Sequence, residues 1–286
     1  VTGVGCVCPL GFGADALAGA FWAGPDDIAA SGAEQEQQQT ACRVPEFEME
    51  DFIQTKRPYL DTHSRFSLAA VSLALASGGI ESDELDPARS GLASATVFGN
   101  VASQEKFHRL VRDKGVRLAS PVLFPHCYPN TTNSLLAIEF GLRGYNQNVC
   151  GDRVCGAKSV QIGDAALRRG LADMMVVGGC DALTDPLTER LSQGTPDPQA
   201  LCPGEGASYL VLESRDAARA RETVPICELA CVVSRGSGVA GPSSDADEDR
   251  IADAILDTVQ QALREVGLWE GDLGAVFLTD PCDGEA

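Results

Sequence analysis

Residues 141–170, GLRGYNQNVCGDRVCGAKSVQIGDAALRRG, decide how the rest of the chain is read. The stretch reads as a strand, then a polar turn ending at Val154-Cys155-Gly156, then a helix. From Ala157 onward, Val160, Ile162, Ala165, Ala166 and Leu167 form a small-residue helical pattern whose one breaker is Gly163. Cys155 is therefore expected at or near a helix N-terminus. There the helix dipole and free backbone N–H groups favour a thiolate and lower the sulfur's pKa. A cysteine in an Ala/Val-rich helix also serves as a small buried hydrophobe, so the local pattern leaves both roles open.

Outward from this stretch, strands and helices alternate. Residues 1–7, VTGVGCV, read as a strand with Cys6 and Cys8 alternating along it, followed by a turn over 9–13 and a helix over 15–23. Residues 31–40, SGAEQEQQQT, are polar and low in complexity, an expected loop. The dense apolar pattern of 61–77 predicts a core helix, 90–99 a strand and 104–114 an amphipathic helix. Pro121, Pro125 and Pro129 mark a loop before a helix over 131–140, with Asn130 or Thr131 as candidate cap. Residues 173–179, DMMVVGG, suit a strand buried on both faces, and 208–212 another strand. The architecture is α/β with a central sheet. The rhythm restarts after Val224, with a strand expected over 226–234, a loop over 237–247, a helix over 249–266 and a strand over 273–279.

The bulk properties narrow the function. A chain of 286 residues with 44% hydrophobic content can bury a large core. The formal net charge of −19 argues against nucleic acid, which requires clustered Lys and Arg. The densest basic cluster, Arg109, Arg112, Lys114 and Arg117, is either a solvated helix face or the best docking surface for an acidic partner. The 11 cysteines show no disulfide framework in a chain of this size and read as reduced, cytoplasmic thiols. The three histidines, His63, His108 and His126, are scattered and no paired C-x-x-C occurs, so neither a metal site nor a cofactor is expected. No run is long and apolar enough for a transmembrane helix, so no membrane association is expected. The chain opens on Val1 rather than Met, which suggests that preceding residues are missing.

Together VTGVGCVCPLG, RFSLAAVSLAL, PNTTNSLLAIEFGLRGYN, CGAKSVQIGDAALRRGLADMMVVGGCDALTD and PGEGASYLVLES resemble the β-ketoacyl-[acyl carrier protein] synthases of the thiolase superfamily. The resemblance runs over almost the whole chain. It implies the thiolase fold, two similar halves in α-β-α-β-α layers, usually dimeric through an edge strand near the nucleophile. On this reading residues 1–222 are a complete N-terminal ketosynthase-like half and 223–286 a shortened C-terminal half. Alignment from the shared IGDAA places the family's nucleophile on Cys155. The implied chemistry is acyl transfer to that thiol, decarboxylation of a malonyl extender and Claisen condensation, a covalent route that splits one hard step into easier ones.

The sequence departs from the family where that chemistry is completed. The resemblance calls for two catalytic histidines in the C-terminal half, yet residues 275–279 run into Asp280-Pro281-Cys282-Asp283, and the later motifs would lie beyond Ala286. His63, His108 and His126 match no family catalytic position. Loss of even one preorganised oxyanion donor costs about 3 kcal/mol of transition-state stabilisation. The turn before Cys155 is about two residues longer than the family's and contains Asp152 and Arg153. Lys158, where the family has glycine, is read as a mark of a remodelled, non-condensing pocket, or as a partner for Asp152 or an aid to a thiolate. Phe98, Phe124 and residues 130–133 are candidates for a pocket near a dimer face or for simple packing and capping.

The resemblance thus implies a chain-length-factor subunit. It would pair with an active ketosynthase as a heterodimer, shape the acyl tunnel and meet an acyl carrier protein in polyketide or fatty-acid-type biosynthesis. The alternatives are an active β-ketoacyl synthase or other Cys-dependent acyltransferase using Cys155 and, third, a truncated fragment or an unrelated thiolase-fold binding protein.

Overall fold

The computed structural model describes residues 1–23, 41–57, 59–81, 85–193, 203–234 and 245–273. The expected loop at 31–40 and most of the expected strand at 273–279 lie outside the described residues. Contacts divide the chain into two compact units, Val1–Cys227 and Glu228–Ala286.

The first unit is built on a six-stranded sheet. In chain order its strands are β1 (Gly3–Cys8), β2 (Gly11–Phe12), β3 (Ser90–Thr96), β4 (Asn146–Cys150), β5 (Met174–Asp181) and β6 (Gly206–Glu213), arranged β2-β1-β6-β5-β3-β4. β3 lies parallel between β4 and β5, whereas β6 is antiparallel to both β5 and β1. The C-terminal ends of β1, β3, β4 and β5 therefore share one edge of the sheet. The helices are α1 (Ala14–Ala23), α2 (Thr62–Ser77), α3 (Val101–Lys114), α4 (Asn130–Glu139), α5 (Cys155–Arg168), α6 (Asp185–Gln193) and α7 (Arg215–Ala220).

α2 covers one face of the sheet. It starts where expected because the Asp61 carboxylate accepts from the Ser64 N–H at 2.9 Å, an N-cap that satisfies one orphan donor of the first turn. Its small residues let the helix backbone sit directly on β1. A Cβ added at Gly5 would lie 2.0 Å from the Ala70 carbonyl oxygen, and one at Gly3 2.2 Å from that of Ala74. The core beneath includes Val7, Leu92, Val176, Tyr209 and Val211. Tyr209 is fully buried, with its hydroxyl 2.6 Å from Ser94 Oγ.

α5 covers the opposite face. Gly163, which reads as a breaker in the sequence, is its contact point with the sheet: an added Cβ would fall 2.3 Å from Val177 Cγ1. Met175 and Val177 alternate with Val176 along β5, so successive side chains serve the two faces, as the pleat requires. The strand is buried on both, as the run DMMVVGG predicts.

Two local expectations fail. α4 begins at Asn130, and the residue before it, Pro129, offers no side-chain cap. Thr131 Oγ1 instead donates to the Pro125 carbonyl, one turn of chain away. Residues 226–234 contain no strand. Ile226 N–H donates to Val1 O at 2.9 Å and the Val1 amine to Cys227 O at 2.9 Å, but among the described residues no ladder continues beyond them. A β-rich segment becomes a strand only where a partner accepts its backbone groups.

The described part of the second unit is helix α8 (Asp245–Val266), preceded by an irregular segment and followed by a short turn of 3-10 helix at Glu270–Asp272. Leu263 is buried, and Cys231 Sγ donates to Ala262 O at 3.7 Å. No helix among the described residues is long and apolar enough to cross a membrane.

Candidate functional site

The shared C-terminal edge of the parallel strands is where open α/β sheets offer a crevice. Here β4 ends at Cys150, a turn follows, and Cys155 opens α5. Asp152 shapes that turn: its carboxylate accepts from Val154 N–H at 3.2 Å and its carbonyl from Cys155 N–H at 3.0 Å. Lys158 is exposed one turn into the helix, so Asp152 caps the turn rather than anchoring the lysine. Cys155 is only 5% exposed and borders a cavity of about 650 Å³. Cys6, Cys8, Leu17, Arg153 and Asp181 also line it. The alternation of Cys6 and Cys8 seen in the sequence thus places both on the cavity side of β1.

The expectation of an acidic thiol is corrected by this burial. Removal from water pushes the Cys155 thiol above its ordinary value, and the Asp181 carboxylate pushes it further. The Gly156 N–H at the helix start works the other way and loses, with Asp152 adding to the upward side. A helix N-terminus stabilises a thiolate that solvent can also reach, and here little solvent does. Cys6 is pushed up to about 12, first by burial and then by the neighbouring Cys8.

Asp181 ends β5 and ties it to the end of β3. Its Oδ1 accepts from Thr96 Oγ1 at 2.7 Å and Phe98 N–H at 2.9 Å, and Val97 N–H lies 3.1 Å from each oxygen. Gly99, with φ of +68°, lets the chain leave this tight turn. Asp181 was not singled out from the sequence; an acidic residue directly after a buried VVGGC strand is the signal that could have found it.

None of the three histidines lines the cavity. His63 is buried at the start of α2, where Nε2 donates to Cys180 O and Nδ1 accepts from Thr132 Oγ1, both at 2.9 Å. Burial holds its pKa below the ordinary histidine value, against the pull of Asp61 and Asp181. Thr132 in turn lies 3.1 Å from Asn100 Nδ2 and 3.0 Å from Ser64 Oγ. Asn100 Nδ2 and Ser103 Oγ donate to Asp61 at 2.8 and 2.7 Å. This buried cluster joins α2, α3 and α4 and was not singled out from the sequence; its one local signal is Asp61 standing three residues before Ser64 at a helix start. His126 packs edge-on against Tyr59 at 5.0 Å, and His108 is exposed.

Phe98 and Phe124 are both partly exposed and outside the cavity; Phe124 stacks with Phe107 at 5.5 Å and Tyr128 at 5.3 Å. Arg109, Arg112, Lys114 and Arg117 all face solvent along the end of α3 and just beyond it, with Arg112 paired to Asp113. Among the described residues no cluster of His, Cys, Asp and Glu is placed to hold a metal ion.

The model of the β-ketoacyl synthase N-terminal domain matches residues 1–218. The chain is 29% identical over 301 residues to the 3-oxoacyl-[acyl-carrier-protein] synthase 2 of Vibrio cholerae, covering 96% of this chain and 71% of that protein. It is 28% identical over 310 residues to the protein of the same name from Rhizobium meliloti, with the same coverage. Among solved structures, the ishigamide ketosynthase/chain length factor superposes with a TM-score of 0.71 at 21% identity, over 96% of this chain and 70% of that one. A type II polyketide ketosynthase bound to its acyl-carrier protein gives 0.66 at 23% identity, over 78% of this chain and 64% of that one. At these identities the structural likeness is one of fold, and the sheet with its two covering helices is the α/β arrangement of the thiolase fold.

Proposed function

Because the chain belongs to the β-ketoacyl synthase family, we propose that it works as a chain-length-factor-type subunit. It pairs with an active ketosynthase in polyketide or fatty-acid-type biosynthesis and shapes the acyl tunnel of the pair. One observation carries this reading: Cys155 is held as a buried thiol, pushed above its ordinary value by removal from water and by the Asp181 carboxylate. A nucleophilic cysteine is activated by a lowered pKa, and the surroundings of this sulfur act the other way. β4 supports the partner: among the described residues it is an edge strand whose ladder pairs with β3 alone, with exposed Asn146, Gln147 and Cys150. Such an edge is a template for strand pairing with a second subunit. The exposed Arg109, Arg112, Lys114 and Arg117 supply the basic surface that an acidic acyl carrier protein would meet on an otherwise acidic chain. The unit boundaries proposed for the whole are a ketosynthase-like part over 1–222 and a second, shorter part over 223–286.

A second reading, an active synthase or acyltransferase using Cys155, is favoured by the names of the 28–29% identical relatives. The two readings separate in one pair of measurements. Native mass spectrometry of the chain with an active type II ketosynthase should show a stable heterodimer, and incubation with an acyl-carrier thioester should leave Cys155 without an acyl adduct. Rapid acylation mapped to Cys155, with condensation by the chain alone, selects the second reading.

A further inference from the structure

The cavity beside Cys155 contains a charge that acyl-chain binding does not require. We propose that Asp181 sets the electrostatic character of this cavity. Its fixed carboxylate disfavours any second negative charge there, so the cavity admits neutral acyl groups and turns away carboxylate-bearing ones. The inference rests on the proposed placement of the family's acyl site at Cys155.

Asp181 is immobilised without being neutralised. Its partners are the Thr96 hydroxyl and the N–H groups of Val97 and Phe98, all neutral donors that orient a carboxylate and leave its net charge in place. Among the described residues no lysine or arginine forms an ion pair with it. Other titratable or charged groups reach the same space from three elements. The turn before α5 brings the exposed Arg153 into the lining and the exposed Asp152 near enough to act on Cys155, β1 brings Cys6 and Cys8, and β5 itself brings Cys180. Water screens the exposed pair, whereas Asp181 is partly buried. A charge beside low-dielectric walls acts more strongly on its neighbours than one in solvent. The upward push that Asp181 gives the Cys155 thiol, larger than that from Asp152, has the same origin.

The walls agree with a neutral guest. Ala95, Val97, Val160 and Val177 present apolar side chains around Cys155. An acyl chain ending in a carboxylate would set a second anion against Asp181 with no described cation inside the cavity except the exposed Arg153.

The test uses two thiol reagents of similar size and opposite charge, aminoethyl and sulfonatoethyl methanethiosulfonate. Each forms a mixed disulfide with a thiol and releases methanesulfinate. Rates at Cys155 are read by peptide mass spectrometry on the full chain and normalised to the exposed Cys227, which cancels the reagents' intrinsic reactivity. The cationic reagent should be favoured at Cys155 over Cys227 by about tenfold. Asp181→Asn should bring that preference close to one and move the pH profile of iodoacetamide alkylation at Cys155 to lower pH. A wild-type preference equal to that at Cys227 overturns the proposal, and this measurement stands even if D181N fails to fold. Heterodimer formation with no charge preference removes the role of Asp181 alone. A charge preference together with rapid acylation of Cys155 removes the chain-length-factor reading alone.

Discussion

At the C-terminal end of β5, two neighbouring residues face opposite sides of the sheet and meet different surroundings. On the α2 side, the Cys180 carbonyl accepts from His63, and His63, Thr132, Asn100, Ser103 and Asp61 hydrogen-bond one another in a sealed cluster. On the α5 side, Asp181 and Cys155 border a cavity of about 650 Å³. Polar groups on the first side, the Asn100 Oδ1 excepted, are consumed by joining three helices; the cavity on the second leaves room for a guest. One strand can thus carry a structural and a chemical role, because its pleat separates them by a single residue.

The comparison can be broken first at Asp61. Asp61→Ala would leave the Ser64 N–H, Asn100 Nδ2 and Ser103 Oγ donors without their acceptor in a buried site. A loss on the order of 4 kcal/mol is expected in urea denaturation, from several unsatisfied groups at once. A change under about 1 kcal/mol would mean that water already reaches the cluster.

Glycine substitutions compare the packing of the two covering helices. Gly5→Ala drives a Cβ into the Ala70 carbonyl of α2, which cannot yield without moving the helix, and should cost about 3 kcal/mol. Gly163→Ala meets a Val177 methyl instead and should cost about 1–2 kcal/mol, measured by the same unfolding curves. The reverse order would show that α5, not α2, is the more rigidly seated helix.

Acid should weaken the α2 side more gradually. Burial lowers the His63 pKa in the folded chain, so the unfolded chain takes up the proton more readily. The stability that comes from keeping His63 neutral is complete above its ordinary value of about 6.5 and is lost as pH falls through and below it. Thermal melts from pH 8 to about 5 should show this decline, and His63→Gln should flatten that part of the curve. The smallest effect belongs to the cavity. Cys155→Ala should change stability by less than about 1 kcal/mol, since the sulfur faces open space on one side.

Much of the fold was legible from the chain itself. The helix after Asp61, the doubly buried strand within DMMVVGG and the placement of Cys155 at the start of α5 follow from periodicity, capping chemistry and turn residues, all local in range. The resemblance carried by CGAKSVQIGDAALRRG and its companions identified the family that the match over residues 1–218 shows. What eluded the sequence depends on distant partners. The 226–234 segment has strand composition but lacks a described neighbour to pair with, Asn130 lies inside its helix rather than capping it, and Gly163 is a contact rather than a break.

The sequence by itself determined that Cys155 would open a helix beyond a strand of an α/β domain, because helix starts and strand lengths are set by neighbours a few residues away. Only the tertiary structure decided what that cysteine is. Its thiol is raised by burial beneath the strand edge and by a carboxylate 26 positions further along the chain. Desolvation and Coulomb interactions act across space, and their sum here outweighs the helix start that the local sequence displays.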